Sequence, residues 1–246
     1  PEAMSSTSRK KEHGVVLAHS MGLGKTLSVI TFLHTALTRA RNEKNIDYIQ
    51  MKMVDHGKGS GEILEDERIR PSNALVLVPK AVATQWSYEW KRWVNKHDDT
   101  VKSYQFPTGG SRDAIMQTLR LWRNCGGILI MGHDAFWRVL QKKKEKNANN
   151  ADGAGGSGLW EFASNFENDD PKILAEIESY LLKPGPDVFV MDEAHRIKNE
   201  QATLSKALAR VDTKRRILLT GTPLQNNLME YFHMVDFVKP GYLGDS

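Results

Sequence analysis

The sequence predicts an α/β protein in which helices cover both faces of a parallel β-sheet. Short apolar segments, typical of strands buried on both faces, alternate with longer segments whose apolar residues recur every three or four positions. A glycine-rich turn joins the first predicted strand to the first predicted helix. Ligands of such sheets bind beyond the carboxyl ends of the strands, so the residues at those ends are candidates for function.

The glycine-rich turn lies in the sequence LAHSMGLGKT, which follows the apolar residues Val15–Ala18. Glycines let backbone N–H groups approach phosphate oxygens, a lysine reaches the terminal phosphates, and a threonine hydroxyl ligates Mg²⁺. His19 stands where the pattern G-x-x-x-x-G-K-[ST] has its first glycine, so the turn taken alone could also be a tight turn without a ligand. We predict that the nucleotide is bound by Met21, Gly22, Leu23, Gly24, Lys25 and Thr26.

The remaining elements follow from the spacing of apolar residues. The helix after the turn is predicted from residue 25 to about 41, and the polar, glycine-punctuated segment at about 42–73 is predicted to be an inserted surface loop. Further strands are predicted at 74–79, 101–106, 127–131, 187–191 and 215–220. Further helices are predicted near 82–94, 112–124, 133–143, 173–181, 201–211 and 226–238.

The predicted helix near 82–94 has an aromatic face. Val82, Trp86, Trp90, Trp93 and Val94 recur at helical spacing. A face of this kind packs into a core or stacks on nucleic-acid bases. We predict core packing, with base stacking as the alternative.

Composition excludes several classes of protein. The 246 residues, 40% of them hydrophobic, suffice for one large or two small packed domains. The single cysteine, Cys125, excludes an internal disulfide framework and indicates a reducing, intracellular setting. The eight histidines are scattered and no C-x-x-C pair is present, so we predict no zinc site. No apolar run reaches membrane-spanning length and no secretory signal pattern is seen, so we predict no membrane association.

Two polar segments are predicted to lie outside the core. Residues 1–13 read as a loose N-terminal tail. The segment at about 141–170 begins lysine-rich and becomes rich in glycine and asparagine, which predicts a disordered insertion. Its lysines suit either a solvated surface or a contact with a phosphate backbone. The net charge of +4 permits an acidic partner but does not establish one.

An acidic pair follows the predicted strand at 187–191 directly. An ATP site needs a carboxylate that holds Mg²⁺ and a group that orients the attacking water. We therefore assign Asp192, together with Thr26, to the metal and Glu193 to the water. Lys25, Asp192 and Glu193 are the predicted catalytic residues.

The order of LAHSMGLGKT, LVLVP, DEAHRIKN and LLTGTPLQNN resembles the first motor lobe of the Swi/Snf-type ATPases of helicase superfamily two. LAHSMGLGKT and PGPDVFVMDEAHRIKNE are most similar to the ATRX-like subgroup. The resemblance implies a RecA-like, P-loop NTPase fold and a nuclear motor that uses ATP and Mg²⁺ to translocate on double-stranded DNA, usually in nucleosomal chromatin. It also implies that residues 14–241 form one lobe and that 242–246 begin a linker to a second RecA-like lobe.

The resemblance also implies roles for residues beyond the phosphate loop. His195 and the segment Thr220, Gly221 and Thr222 would couple the nucleotide state to the grip on DNA, and Pro79 and Lys80 would meet DNA phosphates. The family's second lobe and upstream glutamine motif have no counterpart in this sequence. Because arginines of that second lobe complete the ATP site, we expect this lobe alone to bind nucleotide weakly and hydrolyse it poorly.

Other functions share some of these features. An RNA helicase of the same superfamily has the same nucleotide chemistry, although TGTPLQNN differs from the shorter Ser-Ala-Thr block typical of that class. A non-catalytic, nucleotide-free scaffold would have no need of Lys25, Thr26, Asp192 and Glu193 together. A metal-only hydrolase would need a second cluster of carboxylates or histidines, which the sequence does not show.

Overall fold

The computed structural model describes residues 14–20, 22–55, 72–94, 100–109, 111–140, 171–197, 203–221 and 228–244, with backbone alone for 43–55. The strands are β1 (Val15–Ala18), β2 (Asn73–Val78), β3 (Ser103–Gln105), β4 (Gly127–Gly132), β5 (Val188–Met191) and β6 (Arg216–Thr220). They form one sheet in the order β1-β6-β5-β2-β4-β3, and every neighbouring pair is parallel. The predicted parallel sheet is confirmed.

Helices connect these strands. They are α1 (Lys25–Asp55), α2 (Ala83–Trp93), α3 (Arg112–Cys125), α4 (His133–Val139), α5 (Pro171–Leu181), α6 (Thr203–Leu208) and α7 (Leu228–Val238). Two short 3₁₀ turns, Lys80–Val82 and Ala194–Arg196, follow the ends of β2 and β5. Within the described ranges, no helix is both long enough and apolar enough to cross a membrane.

The core has two layers, one on each face of the sheet, because successive side chains of a strand point to opposite faces. In β2, Leu75 and Leu77 face the layer built by α3 to α7, whereas Val76 and Val78 face the layer built by α1 and α2. The central strands β2, β4 and β5 are buried at every residue. Their continuous apolar sequences are therefore explained by burial on both faces.

The predicted surface loop at about 42–73 is wrong at both ends. The first helix continues to Asp55, since the sequence contains no glycine or proline between Lys25 and Asp55 to end it. At the other end, Ser72 and Asn73 are buried, and the Asn73 N–H donates to Asp187 Oδ2 over 2.9 Å. Residues 56–71 lie outside the described part of the chain.

The aromatic face of α2 packs largely as predicted. Trp86, Trp90 and Val94 are buried, which confirms core packing for these residues. Trp93 is 51% exposed, so its assignment to the buried face is wrong. Its indole N–H instead donates to Glu89 Oε2, one turn earlier, over 2.8 Å.

Several element boundaries differ from the prediction. The strand β3 is shorter than the predicted 101–106, and α4 ends at Val139 rather than near 143. The helix α6 ends at Leu208 rather than 211, because the N–H groups of Arg210 and Val211 bond three residues back, as in a tighter turn. The predicted N-terminal tail at 1–13 and the predicted insertion at 141–170 lie outside the described residues.

We predict that Gly127→Ala destabilises the fold by roughly 3 kcal/mol or more. Gly127 opens β4 at φ +101°, and a Cβ there would lie 2.2 Å from the carbonyl oxygen of Lys102. Urea denaturation measures the loss. Gly109→Ala is the matched control, since a Cβ at Gly109 meets no atom within 4 Å. Equal stability of the two variants would contradict this account of the close approach between Gly127 and Lys102.

Candidate active site

The sheet brings the predicted functional segments to one edge. The glycine-rich turn follows β1, Pro79 follows β2, the acidic pair follows β5 and Gly221 follows β6. Because all the strands are parallel, their carboxyl ends lie at the same edge. The register pairs Ala18 with Thr220, which sets the start of the glycine-rich turn beside the end of β6.

The glycine-rich turn depends on its glycines for backbone conformation. Gly22 and Gly24 have φ of +79° and +76°, in the left-handed region that other residues rarely adopt. A Cβ at either glycine would meet no atom within 4 Å, so conformation rather than crowding requires glycine there. Lys25 Nζ donates to the carbonyl oxygens of His19 (2.6 Å) and Ser20 (2.9 Å). The lysine is thus held across the turn by main-chain acceptors.

Thr26 is the second residue of α1 and is partly buried. The turn and the helix N-terminus together offer an ammonium group, a hydroxyl and backbone N–H groups, the donor set that suits phosphate oxygens and a hydrated Mg²⁺. Met21 lies outside the described residues.

The carboxylate of Asp192 is fixed by two donors. Trp86 Nε1 donates to Asp192 Oδ2, and the Glu193 backbone N–H donates to Oδ1, both over 2.9 Å. The Asp192 N–H donates in turn to the carbonyl of Leu77, over 2.8 Å, which ties the residue to the end of β2. Trp86 is buried, in agreement with its predicted core packing, but its bond to Asp192 has no signal in the sequence.

Glu193 has a strained backbone. Its φ of +52° and ψ of +51° are left-handed, and it is the one non-glycine residue with positive φ in the described part of the chain. Such a conformation costs about 1 kcal/mol or more and persists where the surroundings impose it. Glu193 Oε2 lies 3.1 Å from His195 Nδ1, in ion-pair range but without an aligned ring N–H bond.

The residues predicted to contact DNA, or to couple it to the nucleotide, differ in their burial. Thr220 is fully buried at the end of β6, and Gly221 is partly buried. Lys80 is exposed at the start of the 3₁₀ turn, which closes through a 3.0 Å bond from the Val82 N–H to the Pro79 carbonyl. Thr222 lies outside the described residues.

His133, which is not among the predicted site residues, also lies at this edge, directly after β4. It is 1% exposed, and its Nδ1 lies 3.3 Å from Nη1 of Arg196. Burial, and then the nearby Arg196 charge, lower the pKa of His133 to about 4. The ring is therefore neutral at physiological pH. Its position after a buried strand was the signal that could have found it.

The described residues fit a nucleotide with its magnesium better than a metal bound by protein alone. No group of three or more His, Cys, Asp or Glu side chains in these ranges could hold a metal ion. Thr26 and Asp192 supply two oxygen donors, and Mg²⁺ is typically held by one or two carboxylates with phosphates and water. The donor set at this edge is thus compatible with a nucleotide and its Mg²⁺.

Comparisons with known proteins agree with this fold. A family model described as the SNF2-related domain matches residues 2–246. The chain is 38% identical over 242 residues to the transcriptional regulator ATRX homolog of Caenorhabditis elegans, covering 94% of this chain and 15% of that protein. It is 35% identical over 233 residues to protein CHROMATIN REMODELING 20 of Arabidopsis thaliana, covering 95% of this chain and 12% of that protein. The chain thus spans about a seventh of the length of the first relative and about an eighth of the length of the second.

A solved structure has a similar fold. The Sulfolobus solfataricus SWI2/SNF2 ATPase core, solved in complex with double-stranded DNA, matches with a TM-score of 0.54 and 19% sequence identity. The match covers 95% of this chain and 33% of that one. It supports the RecA-like interpretation of the parallel sheet.

We predict that His133 makes the fold sensitive to acid. The pKa of His133 falls from an ordinary 6.5 to about 4, so below pH 6.5 the unfolded chain binds a proton that the folded chain does not. The stability that neutral His133 confers is therefore present above pH 6.5 and is lost as the pH falls towards 4. Between pH 7 and pH 5, this one group should lower the free energy of unfolding by about 2 kcal/mol.

The measurement is urea denaturation of the wild type and of His133→Gln at both pH values. The variant should lose about 2 kcal/mol less than the wild type on acidification. His233→Gln, at a partly buried histidine on α7, is the control and should behave as the wild type. The same loss in wild type and His133→Gln would show that His133 does not titrate in this way.

Proposed function

Because this chain belongs to the SNF2-related domain family, we propose that it is the ATP-binding and hydrolysing lobe of a DNA-dependent ATPase that translocates on double-stranded DNA in chromatin remodelling. The observation that carries the proposal is the meeting of the Lys25 turn and the Asp192-Glu193 pair at one edge of the sheet. The ATRX-like and chromatin-remodelling names of the relatives support the chromatin setting and a nuclear location.

In this proposal Gly22, Gly24 and their neighbours bind the phosphates through backbone N–H groups. Lys25 exchanges the carbonyls of His19 and Ser20 for phosphate oxygens when nucleotide binds. Thr26 and Asp192 would hold Mg²⁺, which neutralises charge on the phosphates when it is bound.

Glu193 orients the attacking water and accepts its proton at a carboxylate oxygen. The left-handed backbone of Glu193 fixes the direction in which its side chain leaves the chain. His195 Nδ1 lies 3.1 Å from Oε2, so His195 is close enough to the carboxylate to link its state to the residues that follow. A carboxylate in this position contributes through geometry as much as through basicity, since hydrolysis of ATP depends on the alignment of the water.

Double-stranded DNA is the proposed track. Lys80 and Pro79 would meet its phosphates, and the segment Thr220, Gly221 and Thr222 would link that contact to the nucleotide. The similar Sulfolobus solfataricus protein was solved with double-stranded DNA, which favours DNA over RNA as the track. We further propose a second RecA-like lobe of the same protein as the partner that completes the ATP site, and nucleosomal chromatin as the substrate.

We predict that duplex DNA stimulates ATP hydrolysis by the full-length protein. The rate should be measured without nucleic acid, with double-stranded DNA and with single-stranded RNA, each at two salt concentrations. Stimulation should be confined to DNA and should weaken at high salt, because the contact is to phosphates. Stimulation by RNA would indicate a helicase of the same superfamily, and no hydrolysis in any condition would indicate a scaffold.

Variants of two residues should separate binding from turnover. Lys25→Ala should weaken ATP binding by roughly 100-fold, since it removes a charge-assisted contact with the phosphates. Glu193→Gln should keep the ATP affinity but lose turnover by at least about 100-fold. Calorimetry and steady-state rates measure the two effects. Lys80→Ala is the control for Lys25→Ala, because it should weaken DNA binding and leave ATP affinity unchanged. Unchanged ATP binding in Lys25→Ala would remove the phosphate-loop assignment.

A further inference from the structure

We propose that Trp86 is a positioning residue of the ATP site, whose indole N–H fixes the Asp192 carboxylate for the nucleotide-bound Mg²⁺. The inference rests on the proposed function of Asp192. It gives a tryptophan of the buried α2 face a role beyond packing.

The contact meets the requirements of a specific hydrogen bond. The distance from Trp86 Nε1 to Asp192 Oδ2 is 2.9 Å, and the Glu193 N–H occupies Oδ1. Donors on both oxygens prevent the carboxylate from rotating about its Cβ–Cγ bond. Each oxygen can accept more than one hydrogen bond, so both can still accept from metal-bound water. Partners of this kind typically change metal affinity by 10- to 100-fold when they are removed.

Packing alone does not explain this hydrogen bond. Trp90 lies one turn further along the same face and is fully buried, yet its Nε1 has no acceptor in the described part of the chain. The core layer therefore accommodates a buried indole on α2 without pairing its N–H. At Trp86 the N–H meets a carboxylate contributed by a residue 106 positions later in the chain.

The position of Trp86 also joins two parts of the proposed mechanism. The helix α2 begins at Ala83, directly after the 3₁₀ turn Lys80–Val82, and Trp86 lies in its first turn. If contact with DNA shifted that 3₁₀ turn, the first turn of α2 would move with it, and Trp86 would transmit the movement to the Asp192 carboxylate. We therefore expect Trp86 to affect how strongly DNA stimulates hydrolysis as well as the metal requirement.

The test is Trp86→Phe in the full-length protein, which keeps an aromatic ring and removes the N–H donor. The first readout is the affinity for the non-hydrolysable analogue AMP-PNP by calorimetry, with Mg²⁺ and with EDTA. We expect the gain in affinity that Mg²⁺ confers to fall by roughly tenfold, with the metal-free affinity unchanged. The Mg²⁺ concentration for half-maximal ATPase activity should rise by a similar factor. The decrease in kcat at saturating Mg²⁺ should be smaller than this factor.

Trp122→Phe is the matched control. Trp122 is also fully buried, and its Nε1 donates over 3.1 Å to the carbonyl of Gly127, so the variant loses a buried indole bond without touching Asp192. It should leave the Mg²⁺ dependence unchanged. If Trp86→Phe does not give folded protein by thermal denaturation, Trp86→Met carries the test, because methionine fills the space without a donor.

The outcomes separate the two hypotheses. A wild-type protein that binds no AMP-PNP would refute the proposed function itself. If the wild type binds AMP-PNP more tightly with Mg²⁺ than with EDTA, and Trp86→Phe shows the same gain in affinity, the positioning role alone would be refuted. Equal changes in Trp86→Phe and Trp122→Phe would also refute it, since they would reflect a general loss of core packing.

Discussion

Parallel pairing of the central strands is the constraint on which the site depends. The pairs Ala18 with Thr220 and Met191 with Leu218 bring together chain segments that are far apart in sequence. Burial leaves no room for charged side chains within β2, β4 and β5, so charge is confined to the strand ends. The sheet therefore sets both where the chemistry can occur and which segments contribute to it.

Two polar groups at this edge, Asp192 and His133, are each held by specific neighbours. Asp192 accepts one N–H donor on each carboxylate oxygen, which fixes the orientation of the carboxylate. His133, 3.3 Å from the Arg196 guanidinium, is held neutral by burial and by that positive charge. The edge thus holds a carboxylate of fixed orientation and an uncharged imidazole close to the end of β5. A charged His133 would place a second cation beside Arg196 and make this part of the core costly to fold.

The sequence was sufficient for those features that local patterns determine. Strands buried on both faces must be continuously apolar, so their positions can be predicted. The glycine-rich turn and the acidic pair each follow such a strand in the sequence, so their position at the edge of a parallel sheet can be predicted as well. The length of α1 was not predictable by composition, because the second half of this helix is as polar as a typical loop. It differs from a loop in composition only by the absence of glycine and proline up to Asp55. The bond from Trp86 to Asp192 was not predictable at all, since it requires the three-dimensional position of α2 relative to β5. The left-handed backbone of Glu193 likewise has no signature in the residue type.

The structure also explains how the glycine-rich turn tolerates His19. The pattern for phosphate loops has glycine at this position, yet in the described part of the chain Glu193 is the one non-glycine residue with positive φ, so His19 adopts a conformation open to any residue. Lys25 contacts His19 through its carbonyl oxygen, which every residue provides. The side chain at position 19 is exposed and takes no part in that contact. Gly22 and Gly24 are the residues of the turn that need a left-handed backbone. The lysine needs main-chain acceptors alone, so a histidine at the first position preserves the geometry of the turn.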